Sequence, residues 1–301
     1  MRKRVWIVLC LGALLAVSAC GGGKTEGQDG DLRYDRYVAL GDSYTAAPGT
    51  GSVTGSLSCS QSVENYPHLV AAKLGSTRFL DNSCSGATTR ALTKGQFDGV
   101  TPQLDGLDDR TQLVTLGMGG NDAGIFSTLI YRCTVLALKD PEGSPCATAI
   151  GPVDGTTMTR SLDIARTAVS RALRKIAKRA PHARIVLVGY PQIIPASGTC
   201  SKLPIAAGDY PWAHSVVKAL DDGLRTVAKK AGVTYIDMLG PSAGHDICSS
   251  DPWIAGNRSV AGKAVAFHPF EAEQQKVADL ILKTLEGKTV AASATTSAAS
   301  S

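Results

Sequence analysis

The chain has 301 residues, 44% of them hydrophobic, and carries 31 Lys and Arg against 26 Asp and Glu for a net charge of +5. That charge is spread along the chain without interleaved aromatic residues, which argues against a nucleic-acid ligand. The eight cysteines include no C-x-x-C pair and are irregularly spaced, which argues against a zinc site or any other metal.

In chain order, Arg2-Lys3-Arg4 comes first, followed by an apolar run over residues 5–17 and then by Ser18-Ala19 before Cys20. This is the layout of a secretory signal peptide, and the run is shorter than the about 20 residues that a membrane-spanning helix needs. Val17-Ser18-Ala19-Cys20 resembles the bacterial lipobox, which implies a signal peptide over 1–19 and a lipidated Cys20 at the mature N-terminus. An ordinary signal peptide cut nearby is the alternative. Residues 20–35 then form a small, polar tether, residues 36–287 one domain, and residues 288–301 a disordered Ala/Ser/Thr tail. The expected location is extracytoplasmic, held to the cell membrane by the lipid anchor or partly released.

Within the domain, short apolar runs at 37–40, 78–80, 112–116, 184–188 and 233–236 read as buried strands. Between the third and fourth, residues 158–180 place Leu162, Ala165, Val169, Leu173, Ile176 and Ala177 on one helical face. The basic run over 171–179 is therefore the solvated face of that helix. Further helices are expected over 212–230 and 270–286, with Pro269 at the first helical position of the latter. Strands alternating with helices predict an α/β fold: a three-layer αβα sandwich around a five-stranded, mainly parallel sheet.

In such a sheet, the loops leaving the carboxyl ends of the strands gather at one edge, where ligands bind. The first strand runs into Gly41-Asp42-Ser43-Tyr44, the second into the loop holding Gly86, and the third into Gly119-Gly120-Asn121-Asp122. His268 stands just ahead of the last helix. A serine hydroxyl needs a base, and the oxyanion it creates needs two or three donors. Ser43, His268, Gly86 and Asn121 supply those parts. Asp42 and Asp122 read as loop-orienting residues, and His68, His182, His214 and His245 as surface or loop residues. Six cysteines follow Cys20, and an even number in an exported chain predicts three disulfides. Of the fifteen pairings, joining sequence neighbours closes only short, separate loops, which favours Cys59–Cys84, Cys133–Cys146 and Cys200–Cys248.

These blocks resemble those of the GDSL/SGNH hydrolase family, over residues 36 to 286, and the cysteine arrangement looks like its secreted actinobacterial esterase and lipase branch. The resemblance implies an SGNH/flavodoxin-like fold and cleavage of carboxylic acyl esters through an acyl-serine intermediate on Ser43, with His268 as general base. It also implies an oxyanion hole of the Ser43 N–H, the Gly86 N–H and the Asn121 amide. No cofactor is implied, and the expected partners are a small-molecule or lipid ester and, through the anchor, the membrane. A monomer is expected. One position departs from the family pattern. Where the family carries Asp-x-x-His, this chain has Val265, so the backbone carbonyl of Val265 is expected to orient His268, with Asp251 as the alternative. A polysaccharide acetyl esterase, an acyltransferase and a non-catalytic solute-binding lipoprotein are the competing readings. Substrate choice is expected to reside in the loops over 46–58 and 190–209.

Overall fold

The computed structural model describes residues 34–151 and 157–297, with side chains up to residue 286. The signal peptide, Cys20, most of the tether and residues 298–301 lie outside the described residues. Five strands, β1 (Arg36–Gly41), β2 (Arg78–Asp81), β3 (Leu113–Gly117), β4 (Arg184–Val188) and β5 (Thr234–Ile236), build one sheet. All pair in parallel, in the order β2-β1-β3-β4-β5. From β1 the chain steps outward to β2 and then crosses to the opposite side as β3. The crevice between the carboxyl ends of β1 and β3 is thus the topological switch point, where open α/β sheets bind ligands.

Both faces are covered over the central strands β1, β3 and β4, which is why these read as unbroken apolar runs; the edge strand β2 is not buried as expected, with Arg78 and Leu80 exposed. On one face Val38, Leu40, Val114, Leu116 and Leu187 pack with Ala165, Val169 and Leu173 of α3 (Thr157–Arg179) and with Val216, Val217 and Leu220 of α4 (Tyr210–Ala231). The opposite face presents Tyr37, Ala39, Leu113, Val186 and Val188 to α2 (Tyr66–Leu74) and α5 (Glu271–Ser297). Of the shorter helices, α1 (Ser43–Ala46) is a single turn directly after β1.

Two expectations at the end of the chain are corrected. Pro269 is not the first residue of the last helix: it pairs with Ile254 in an antiparallel bridge, and the helix opens at Glu271. The same helix continues to Ser297 instead of stopping at 286.

Candidate active site

The site begins where β1 ends. Gly41 and Gly117 face each other across β1 and β3, and a Cβ built on either would lie 2.1 Å or 2.5 Å from Thr45 Oγ1. Only glycine at both positions lets Thr45 tuck beneath the turn. The Asp42 carboxylate caps α1 by accepting the Tyr44 N–H at 2.9 Å, and its other oxygen accepts the Tyr190 hydroxyl at 2.6 Å. Tyr190 Oη in turn accepts the Gly120 N–H at 2.9 Å, so one phenol joins the first and third loops. Burial pushes the Asp42 carboxyl up to about 7, against the hydrogen bonds from Tyr190 and Tyr44. Gln103 grips the strand end from below, accepting from Gly41 N and donating to Gly41 O, both at 2.9 Å.

Ser43 therefore stands at the first position of a helix, where its N–H has no intrahelical acceptor. Gly86 turns with φ +75, and among the described residues neither the Ser43 N–H nor the Gly86 N–H donates to another backbone group. Asn121 Nδ2 spends one hydrogen on the Ala87 carbonyl at 3.1 Å, which leaves the second available. Asp122 is turned away, accepting from Thr89 N at 3.1 Å and Thr89 Oγ1 at 2.6 Å.

His268 arrives from the opposite side on a long irregular segment. The ring is oriented by a carbonyl, but the carbonyl is that of Ala266, 2.7 Å from Nδ1, and not that of Val265. The Val265 oxygen is taken by the backbone N–H of His268 at 3.1 Å. The turn that closes there puts Phe267 at φ +64, a left-handed conformation costly for a bulky residue, and aims the Ala266 oxygen at the ring. A carbonyl only accepts, so Nδ1 carries the proton and Nε2 is left free to act as a base. Burial pushes the His268 imidazole below its ordinary value, partly offset by the Ala266 hydrogen bond. The alternative partner, Asp251, lies elsewhere, with its carboxylate 3.3 Å from His245.

Ser43, Gly86, Asn121 and His268 line one cleft of about 440 Å³. Its walls include Phe126, Ile130, Tyr131, Val265 and Phe267, an apolar surface beside the polar centre. None of the other four histidines lines it: His68 bonds Asn65, His214 the Ile194 carbonyl, His245 stacks on Trp253, and His182 is exposed. Each disulfide ties down a segment of the rim. Cys59–Cys84 holds the loop before Gly86, Cys133–Cys146 the segment bearing Phe126 and Tyr131, and Cys200–Cys248 the stretch leading to His268. Sequence reasoning missed Tyr190, Gln103 and the apolar wall. Tyr190 had a signal, since it follows β4 at the same edge of the sheet. Gln103 and the wall lie on short turns without a readable period.

A hydroxyl at a helix start, a base with one free ring nitrogen and three residues with available donors lining one cleft can together carry out acyl transfer. The GDSL-like lipase/acylhydrolase family matches the chain over residues 39–275. Lipase 2 of Streptomyces coelicolor is 39% identical over 256 residues, covering 81% of this chain and 83% of that protein. Among solved structures, phospholipase A1 from Streptomyces albidoflavus superposes with a TM-score of 0.69 at 28% identity, covering 82% of this chain and 98% of the other. An extracellular lipase from Streptomyces rimosus superposes with a TM-score of 0.65, with the same identity and the same coverage of both chains.

Proposed function

Because the chain belongs to the GDSL-like lipase/acylhydrolase family, we propose that Ser43 is the nucleophile and His268 the general base of its ester hydrolysis. The chain is an extracytoplasmic serine hydrolase of carboxylic esters. In the proposed reaction His268 Nε2 takes the Ser43 proton as Oγ adds to the ester carbonyl. The Ser43 and Gly86 N–H groups and the Asn121 amide receive the oxyanion. The imidazolium then returns its proton to the departing alkoxide, leaving acyl-Ser43, and a water activated by the same ring releases the acid. The Ala266 carbonyl holds the ring, so the site works as a Ser–His dyad.

The observation that carries this reading is the gathering of Ser43, Gly86, Asn121 and His268 on one cleft. The apolar wall of that cleft supports a lipid acyl ester as substrate, as do relatives named lipase and phospholipase. The sequence Val17-Ser18-Ala19-Cys20 supports lipidation at Cys20, which would keep the enzyme at the membrane surface where such esters reside. A fluorophosphonate tests the chemistry, since it reacts only with an activated serine. It should label the wild-type protein and not Ser43→Ala, and nitrophenyl esters of increasing chain length should show turnover rising beyond acetate. Labelling that persists in Ser43→Ala would remove Ser43 from the mechanism, and a strict acetate preference would point to an acetyl esterase.

A further inference from the structure

A second, polar pocket of about 300 Å³ adjoins the cleft, lined by Gly86, Thr88, Arg90, Lys94 and Gln96 among others. Gly86 belongs to both cavities, so a ligand filling the two at once would pass the oxyanion donors. Gln96 lines the polar pocket beside Gly86. A Cβ built on Gly86 would lie 3.6 Å from its Nε2, which donates to the Ser85 carbonyl at 2.7 Å.

Three features mark this pocket as a place for an anion. Among the described residues, neither the Arg90 guanidinium nor the Lys94 ammonium has an ion-pair partner. The nearby carboxylate of Asp122 is turned onto Thr89. On the cleft side of the junction the buried Ser85 hydroxyl lacks any hydrogen-bond partner and can donate to an anion.

We propose that Arg90 and Lys94 receive the phosphate of a glycerophospholipid whose ester lies at Ser43 and whose acyl chain lies on the apolar wall. Guanidinium and ammonium groups together suit a phosphate, the first by paired hydrogen bonds and the second as a point charge. An apolar wall on one side of the oxyanion donors and two free cations on another match an amphiphile with an anionic head. This inference deepens the Ser43 reading and depends on it.

The test is the ratio of kcat/KM for dihexanoyl-phosphatidylglycerol, kept below its micelle concentration, to kcat/KM for p-nitrophenyl hexanoate. Arg90→Gln combined with Lys94→Gln should lower that ratio by about 10–100-fold, the scale of losing one or two charge-assisted contacts. Lys175→Gln with Lys178→Gln, on the outer face of α3, should leave the ratio alone and so exclude a general charge effect. Both positions in the first pair are exposed, and a matching melting temperature would show that the fold is kept. An unmoved ratio overturns the proposal, as does an equal fall in the second pair. Inorganic phosphate supplies a further arm. If it inhibits p-nitrophenyl hexanoate turnover in the wild type but not in the Arg90/Lys94 variant, while the ratio holds, the pocket takes free phosphate and the headgroup assignment is wrong. Ser43→Ala is assayed beside these variants. Residual turnover there would sink the Ser43 reading itself, separately from the pocket.

Discussion

The two halves of the site are held in different ways. On the serine side, side chains do the holding: Gln103 clamps both backbone groups of Gly41, and Tyr190 links the Asp42 carboxylate to the Gly120 amide in the buried interior. On the histidine side the backbone does most of it. Val265 N–H donates to Pro48 O at 2.9 Å, Phe267 N–H to Gly256 O at 3.0 Å and Ala255 N–H to His268 O at 2.9 Å, while side chains add fewer bonds: Tyr44 Oη donates to the Phe267 carbonyl at 3.0 Å, Ser259 Oγ accepts from the Ala266 N–H at 3.0 Å and Thr50 Oγ1 donates to the Lys263 carbonyl at 2.9 Å. Where side chains position a group, residue identity matters and point changes are costly. Where the backbone does, many sequences serve and the path of the chain matters.

The largest expected effects come from the two groups that meet across this divide. Ser43→Ala and His268→Ala should each lower kcat on the order of 10⁴-fold or more, with circular dichroism and melting temperature unchanged. Comparable losses from both would show that neither half works alone. A His268→Ala variant with near-normal turnover would mean that the base comes from the serine side.

Asn121→Ala removes one donor and should cost about 10²–10³ in kcat with little change in KM. Tyr190→Phe is milder and tests the serine side directly. It strips the Asp42 carboxylate and the Gly120 N–H of a shared partner in the buried interior, and each orphaned group costs about 1–3 kcal/mol. Each kcal/mol lowers the melting temperature by about 2–4 °C in a domain of this size. A Tyr190→Phe protein as stable and active as the wild type would show that side-chain clamping does not distinguish the two halves.

This contrast also explains what could be read from the sequence. The five parallel strands, the face of α3 and the span of α4 were legible because burial against the sheet imposes apolar runs and helical periods. The serine side was legible because its turn needs glycines at 41 and 117 and a capping carboxylate at 42, and these leave residue signatures. Asp42 and Asp122 do act on loop donors, as their positions implied. The histidine side was harder. Which carbonyl meets Nδ1 depends on Phe267 adopting φ +64, a conformation that its residue type disfavours and no pattern announces. Hence Val265 was the expected partner and Ala266 is the observed one. The apolar wall around Phe126 and Ile130 was hidden for a related reason. It is assembled from a three-residue helix and a π turn, too short to show a period.

The smallest expected effect is the sharpest test of a histidine ring oriented by a backbone carbonyl. If the Ala266 carbonyl is its orienting partner, no carboxylate should matter, and the three acidic residues of the preceding segment are each engaged elsewhere. Asp237 pairs with Arg225 at 3.2 Å, Asp246 accepts from Gln192 and from the Cys248 N–H, and Asp251 faces His245. Asp237→Asn, Asp246→Asn and Asp251→Asn should therefore each change kcat by less than about twofold, against the order of 10⁴ lost when a triad aspartate is removed. The pH profile supplies an independent reading. Burial lowers the His268 value, so the neutral base persists into more acid solution than a free imidazole would. The acid limb of kcat should thus have its midpoint below the ordinary histidine value of about 6.5. A carboxylate beside the ring would hold the imidazolium and raise the midpoint, and its conversion to an amide would bring the midpoint back down. A midpoint above that value that falls in one of the three variants would identify a third catalytic group and end the dyad description.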